Sequence, residues 1–194
     1  MNCFYISLTI LYSLAIIVTP FVDAIVLGTF TYWSLVLQWL YYTGEALDMK
    51  ESTRTILLNL ATAPSLSVLS YWAIINVFDW PFLVPWYIDI SIHLINIILL
   101  LGIVLVQYPY IKINYIWVPM LFGFWYLIGT FAYTSSAAKL IYPTNVFSFD
   151  SIENEEPYGW VSLVFYVITV GIHILMSIVC KEIECRREFQ KLPK

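Results

Sequence analysis

Six apolar stretches, at about residues 3–19, 25–46, 56–77, 86–106, 115–137 and 160–180, are separated only by short segments holding Pro, Gly or charge. Each is close to the roughly 20 residues a helix needs to cross the ~30 Å hydrocarbon core of a bilayer. Lipid offers no partner to a backbone N–H or C=O, so this pattern is expected to fold as an all-α, polytopic transmembrane helical bundle of six spans. A composition of 61% apolar and 11% charged residues, with a mean hydropathy of +0.81, excludes an ordinary soluble domain. No repeat, low-complexity tract or long linker interrupts residues 1–194. They read as a single transmembrane domain whose chemistry sits within the membrane.

Orientation follows from the nine Lys and Arg residues. If the spans alternate with the C-terminus in the cytoplasm, Lys50, Arg54, Lys112, Lys181, Arg186, Arg187, Lys191 and Lys194 are cytoplasmic and Lys139 alone lies opposite. The loop on the opposite face carries Asp150, Glu153, Glu155 and Glu156 and reads as a solvated acidic loop. The first run lacks a basic leading region and a small-residue cleavage site near Pro20, so it is read as a retained helix rather than a cleaved signal. Cys3, Cys180 and Cys185 fall on or near the cytoplasmic face and imply no disulfide framework. Cys180 and Cys185 border the last helix, a setting compatible with palmitoylation and equally with plain border cysteines. The span lengths suit the endoplasmic reticulum and the plasma membrane alike.

Polar residues inside the spans carry the functional information, because an ionisable group in hydrocarbon normally faces the protein interior or a water-filled cavity. In the second run Thr31, Ser34, Gln38, Tyr41 or Tyr42, and Glu45 recur at steps of three or four and share a face. In the fourth run Asp89, His93 and Asn96 form a similar stripe, with Asp89 and His93 one turn apart. With these two helices taken as antiparallel, Thr31 lies roughly 9 Å and His93 roughly 10–12 Å inside the non-cytoplasmic ends, at one level. A hydroxyl, an imidazole and a carboxylate at one depth make a candidate nucleophile, base and orienting group.

Structural readings stand beside this one. A membrane-helix Thr commonly bonds its own i−4 carbonyl, and Ser34, Gln38 and Asn96 serve equally to join helices. His173, the only other histidine, offers a metal site with His93 and Asp89, although it falls about 8 Å deeper and needs a helix break or tilt to reach them. Pro64 sits mid-span among small residues, where it permits a kink beside the second and fourth helices. Trp and Tyr residues near the helix ends read as interfacial belts. H-E-x-x-H, G-x-S-x-G, P-loop and CxxC patterns are all missing from the sequence. No cofactor and no nucleic-acid partner is implied.

Taken in order, TFTYWSLVLQ, SYWAII, DISIHLIN, QYP, YLIG and LIYP resemble the family of androgen-induced and androgen-dependent membrane proteins together with the rolling-stone proteins, over most of the chain. Thr31 resembles the threonine that opens the family's second-helix motif, which ends here in Gln38, and His93 resembles the histidine of its fourth helix. Tyr108-Pro109, and the separation from Tyr126 to Tyr142-Pro143, fit the same pattern. The androgen-induced branch implies an activity: hydrolysis of fatty acid esters of hydroxy fatty acids by a threonine nucleophile and a histidine base. On that resemblance Thr31 attacks the ester carbonyl, His93 accepts its proton, Asp89 or Asn96 supports the histidine, and the lipid substrate enters from the bilayer. Ser34, Asn96 and Tyr126 are the candidate oxyanion donors. DISIHLIN and SYWAII lean toward the rolling-stone branch, with Ser91 where those relatives often carry a second histidine. That branch implies a second reading, a non-catalytic membrane protein of cell fusion or adhesion. A metal-dependent lipid hydrolase using His93, His173 and Asp89 is the third.

Overall fold

Local chemistry at one joint sets the frame of the bundle. In the computed structural model, which describes residues 3–22, 29–77, 93–94, 96–106, 111–137 and 159–190, the second helix ends where Asp48 adopts a left-handed backbone (φ 50°). Met49 N–H then bonds the Gly44 carbonyl at 2.9 Å and Asp48 N–H the Glu45 carbonyl at 3.2 Å. This is a Schellman stop, with Asp in the place usually taken by Gly. It reverses the chain in four residues, and Arg54 of the next helix closes over the turn onto Glu45 at 3.0 Å and Asp48 at 3.5 Å.

Among the described residues all regular structure is helical: α1 (Cys3–Val22), α2 (Phe30–Ala46), α3 (Glu51–Val77), α4 (Asn96–Val106), a 3-10 turn (Ile113–Tyr115), α5 (Trp117–Ala137) and α6 (Gly159–Gln190). α3 is the hub and packs against α2, α4, α5 and α6. α1 lies antiparallel along α2: Trp39 donates to Ser13 Oγ at 2.9 Å at one end, and Tyr32 to the Ile16 carbonyl at 3.3 Å at the other. One buried cluster joins Tyr5, Leu8 and Tyr12 of α1, Leu35, Tyr41 and Tyr42 of α2, Leu58 and Ala61 of α3, Leu100 and Val104 of α4, and Cys180 of α6.

The six helices correspond to the six apolar runs, with three differences. First, among the described residues only Ile113–Thr134 and Ser162–Glu188 are both long and apolar enough to cross a membrane; Cys3–Val18 and Asn96–Val106 are apolar but shorter. α2 has 17 residues, and α3 is diluted by buried Asn59, Thr62, Ser65 and Ser67. Second, α3 begins at Glu51 rather than near 56, because the turn hands directly into it: Thr53 and Arg54 N–H both bond the Lys50 carbonyl. Third, α6 continues past 180 to Gln190, since its charged tail forms helix as readily as its apolar body, with Arg186 on Glu182 one turn away at 2.8 Å.

α3 runs unbroken through Pro64, a proline that leaves the carbonyl four residues back without its usual donor. Ser65 and Ser67, just after it, bond the Ala61 and Ala63 carbonyls at 2.6 and 2.8 Å. The outer faces of α1, α5 and α6 present large apolar side chains, among them Leu14, Trp125 and Val167, while Gln38, Asn59, Ser65 and His173 are sealed inside.

Candidate active site

Thr29 starts α2. Its backbone is extended (φ −78°, ψ 146°) and its Oγ1 accepts from Tyr32 N–H at 3.2 Å, while Trp33 N–H bonds its carbonyl at 3.3 Å. A threonine cap of this kind satisfies donors that would otherwise be orphaned. Thr31 therefore sits in the first turn, where its own N–H has no acceptor within the helix and the positive end of the helix dipole is concentrated. Ser34 donates to the Thr31 carbonyl at 2.7 Å and steadies that turn. Its proton is thereby committed to the backbone.

His93 and Leu94 form a wide, π-type turn just ahead of α4. Such turns interrupt the regular ladder and re-aim the side chains they carry. Here Thr31 Oγ1 and His93 Nε2, 62 positions apart in sequence, lie 3.1 Å from one another, and both residues are half-buried. With the ring proton on Nδ1, the Thr31 O–H donates to Nε2 and the imidazole is placed to take that proton. The separation is within the reach a nucleophile and its base require.

The direction of the two helices differs from the expectation. Proceeding from Thr31 to Gln38 along α2, and from His93 to Asn96 along α4, leads in the same order to one shared set of partners. α2 and α4 run parallel, as helices separated by one antiparallel neighbour must. Thr31 and His93 still share a level because each stands at the beginning of its helix.

Below the pair lies a sealed polar network. Gln38 accepts from Tyr12 at 2.9 Å and from Tyr42 at 3.3 Å and donates to Ser65 at 2.8 Å. Ser65 passes its own proton to the Ala61 carbonyl at 2.6 Å. The Tyr12 hydroxyl also meets the side-chain amide of Asn96. A phenol carries one proton, so both contacts are satisfied together when the Asn96 amide is turned to donate and Tyr12 gives its proton to Gln38. Asn96, expected beside the histidine or at an oxyanion, is engaged instead by Tyr12.

The other sequence candidates divide cleanly. Tyr126 sets its ring edge-on to Phe30 at 4.8 Å, in a crevice between α5 and α6 that Gly123, Phe165 and Tyr166 also line. His173, 1% exposed, donates from Nε2 to the Lys112 carbonyl at 3.2 Å, and Lys112 N–H bonds Asn59 Oδ1 at 3.3 Å. That histidine ties α6 to α3 through the segment before the 3-10 turn. Among the described residues no three of His, Cys, Asp and Glu gather as a metal-binding set. Asp89, Ser91, Lys139, the Tyr108-Pro109 and Tyr142-Pro143 pairs and the acidic loop lie outside the described residues.

Tyr12 and Ser65 are the members of this assembly that sequence reasoning missed, and Tyr12 is the one that left a signal. Its signal was the Tyr5, Leu8, Tyr12 stripe, which places two phenols on the buried face of an apolar run. No protein-family model, curated protein or solved structure matches this chain. The chemistry of the site rests on its own residues.

Proposed function

We propose that this chain is a six-span membrane protein with a cytoplasmic C-terminus that hydrolyses lipid esters within the bilayer, using Thr31 as nucleophile and His93 as general base. The inverted surface supports the membrane part. Apolar side chains such as Leu14, Trp125 and Val167 are more than half exposed while fifteen polar residues are buried among those described. In water so many exposed large apolar side chains are a liability; in hydrocarbon they are the solvated side, and polar groups belong inside. The single observation that carries the catalytic part is the 3.1 Å approach of Thr31 Oγ1 to His93 Nε2.

The reaction proceeds in two acyl transfers. Thr31 Oγ forms a bond to the ester carbonyl carbon as its proton passes to His93 Nε2, and negative charge collects on the carbonyl oxygen. The first turn of α2, with the Thr31 N–H and the positive helix end, is positioned to receive that charge. Collapse breaks the bond to the alcohol oxygen, which leaves with the proton from His93 as a hydroxylated fatty acid. Water, deprotonated by the same nitrogen, then attacks the threonine ester, releasing the carboxylic acid and restoring the Thr31 hydroxyl. The resemblance to the androgen-induced proteins points to fatty acid esters of hydroxy fatty acids, whose alkyl chains reach the site from the lipid.

The test is labelling by a fluorophosphonate probe, with hydrolysis of such an ester measured in parallel, on wild type, Thr31→Ala and His93→Ala in detergent. Labelling and hydrolysis in wild type, lost in both variants while the melting temperature holds, are the expected results. A folded wild type that neither labels nor hydrolyses refutes the reading and leaves the rolling-stone-like, non-catalytic one.

A further inference from the structure

His93 occupies a π-type turn, so the regular hydrogen-bond ladder of α4 does not by itself fix its place. Described helix resumes at Asn96, three residues on, and the side chain of Asn96 is held by Tyr12 of α1. Tyr12 also holds Gln38, which stands seven residues beyond Thr31 on α2. Seven residues are two turns, about 10.5 Å of rise with only ~20° of rotation, so Gln38 lies beneath Thr31 on the same face. A phenol from a third helix thus grips both catalytic helices just below the point where their side chains meet. Gln38 and Asn96 are 0% and 7% exposed, and Gln38 is further pinned to α3 through Ser65 at 2.8 Å.

We infer that Tyr12, Asn96 and Gln38 form a clamp that sets the register of α4 against α2 and so holds His93 Nε2 on Thr31 Oγ, making the first helix a positioning element of the site. The chemical meaning of the clamp rests on the hydrolase reading; its geometry does not. None of the three side chains is needed to touch substrate. They act through the pair, and their leverage is large because misplacing a base by about 1 Å costs on the order of a hundredfold in rate. A bilayer also supplies little hydrophobic force between helices, so register depends on specific side-chain contacts of this kind.

The experiment reads the pair without requiring hydrolysis. In a Thr31→Cys background, full-length protein in detergent is treated with iodoacetamide at neutral pH. Alkylation at position 31 is followed by peptide-resolved mass spectrometry, which separates it from Cys3, Cys180 and Cys185. The variants compared are the parent, His93→Gln, Tyr12→Phe, and Tyr12→Phe with Asn96→Leu. A neighbouring imidazole raises the reactive thiolate fraction, so the parent is expected to react about tenfold faster than with His93→Gln. Tyr12→Phe should abolish most of that acceleration.

The double variant removes both sides of the Tyr12–Asn96 contact, leaving neither partner orphaned, so it is expected to recover melting temperature without recovering the acceleration. Acceleration that persists in folded Tyr12→Phe, that returns with stability in the double variant, or that never depends on His93 overturns the clamp. The outcome is separable from the hydrolase reading. Tyr12-dependent acceleration in a protein that fails to hydrolyse esters removes the enzyme and keeps the clamp; hydrolysis indifferent to Tyr12 does the reverse. Where hydrolysis occurs, Tyr12→Phe lowers kcat and leaves KM within about twofold, because Tyr12 does not meet the substrate.

Discussion

Replacing Gln38 by Met keeps the side-chain length and removes every hydrogen bond the amide makes, so its effect isolates the polar part of the buried network. Three bonds disappear, yet they differ in consequence. Tyr12 can turn its proton to the Asn96 amide oxygen once that amide flips, and Ser65 retains the Ala61 carbonyl for its proton. Tyr42, 0% exposed, loses the amide acceptor it reaches at 3.3 Å. One orphaned buried hydroxyl costs about 1–3 kcal/mol in soluble proteins. Hydrogen bonds between membrane helices average about 0.6 kcal/mol, because the unfolded chain in lipid also finds partners. Gln38→Met is therefore expected to destabilise by about 1–2 kcal/mol. Gln38→Ala adds a cavity and should reach about 3–4 kcal/mol. The informative variant is Gln38→Met with Tyr42→Phe, which removes donor and acceptor together and should return to within about 0.5 kcal/mol of wild type. Denaturant unfolding in micelles, followed by tryptophan fluorescence, gives the stabilities of wild type, the two Gln38 variants, Tyr42→Phe and the double variant. Strictly additive effects of Gln38→Met and Tyr42→Phe, or a Gln38→Met protein as stable as wild type, would show that the network does not hold the helices as argued.

Other consequences follow from single contacts. A Cβ at Gly123 would fall 2.7 and 2.9 Å from ring carbons of Tyr166, so Gly123→Ala is expected to push α5 and α6 apart at a cost of about 1–3 kcal/mol, and adding Tyr166→Leu should relieve much of it. Asp48 holds a positive φ of 50°, a conformation glycine adopts more easily, so Asp48→Gly should stabilise by about 0.5 kcal/mol. Its exposed contact to Arg54 at 3.5 Å is dispensable, since Glu45 holds the guanidinium at 3.0 Å; a fall in melting temperature would refute this. His173→Gln keeps a donor for the Lys112 carbonyl and should leave fluorophosphonate labelling of Thr31 unchanged, as should dialysis against a chelator. Loss of labelling on either treatment would revive the metal site with His93.

What was legible in the sequence was whatever depends on period. Six apolar runs correspond to six helices, and the three-and-four spacing of Thr31, Ser34 and Gln38 along α2, and of His93 and Asn96 at the entry to α4, reappears as two polar systems, Thr31 with His93 and Ser34, and Gln38 with Asn96 through Tyr12. What stayed hidden depends on partners. A tyrosine in an aliphatic run counts as apolar bulk until the residue facing its hydroxyl is known, which is why Tyr12 was absorbed into the first span. His173 announces itself as a buried titratable group, yet its acceptor is the Lys112 carbonyl, and every residue has a carbonyl. Helix limits were misjudged where hydropathy and helix formation part company. Apolarity ends near 180 while hydrogen bonding continues to Gln190, and α3 starts early because a left-handed Asp48, rather than any apolar residue, fixes the turn.

The contrast between the two polar systems argues for their division of labour. In the network Gln38 accepts from two phenols and donates to Ser65, Ser65 spends its proton on the Ala61 carbonyl, and both residues are sealed, so its value is rigidity. The Thr31 and His93 pair is built otherwise. It is half-buried, it stands at a helix start whose first N–H groups lack acceptors within the helix, and the Thr31 hydroxyl directs its proton at His93 Nε2. If both systems served only to join helices, lipid would favour sealing both, because a half-exposed polar pair gains least from the low dielectric that makes a buried one strong. Leaving the upper pair open while fastening the lower one so completely is the arrangement a reacting site needs: an accessible hydroxyl and imidazole, and beneath them a frame that does not yield.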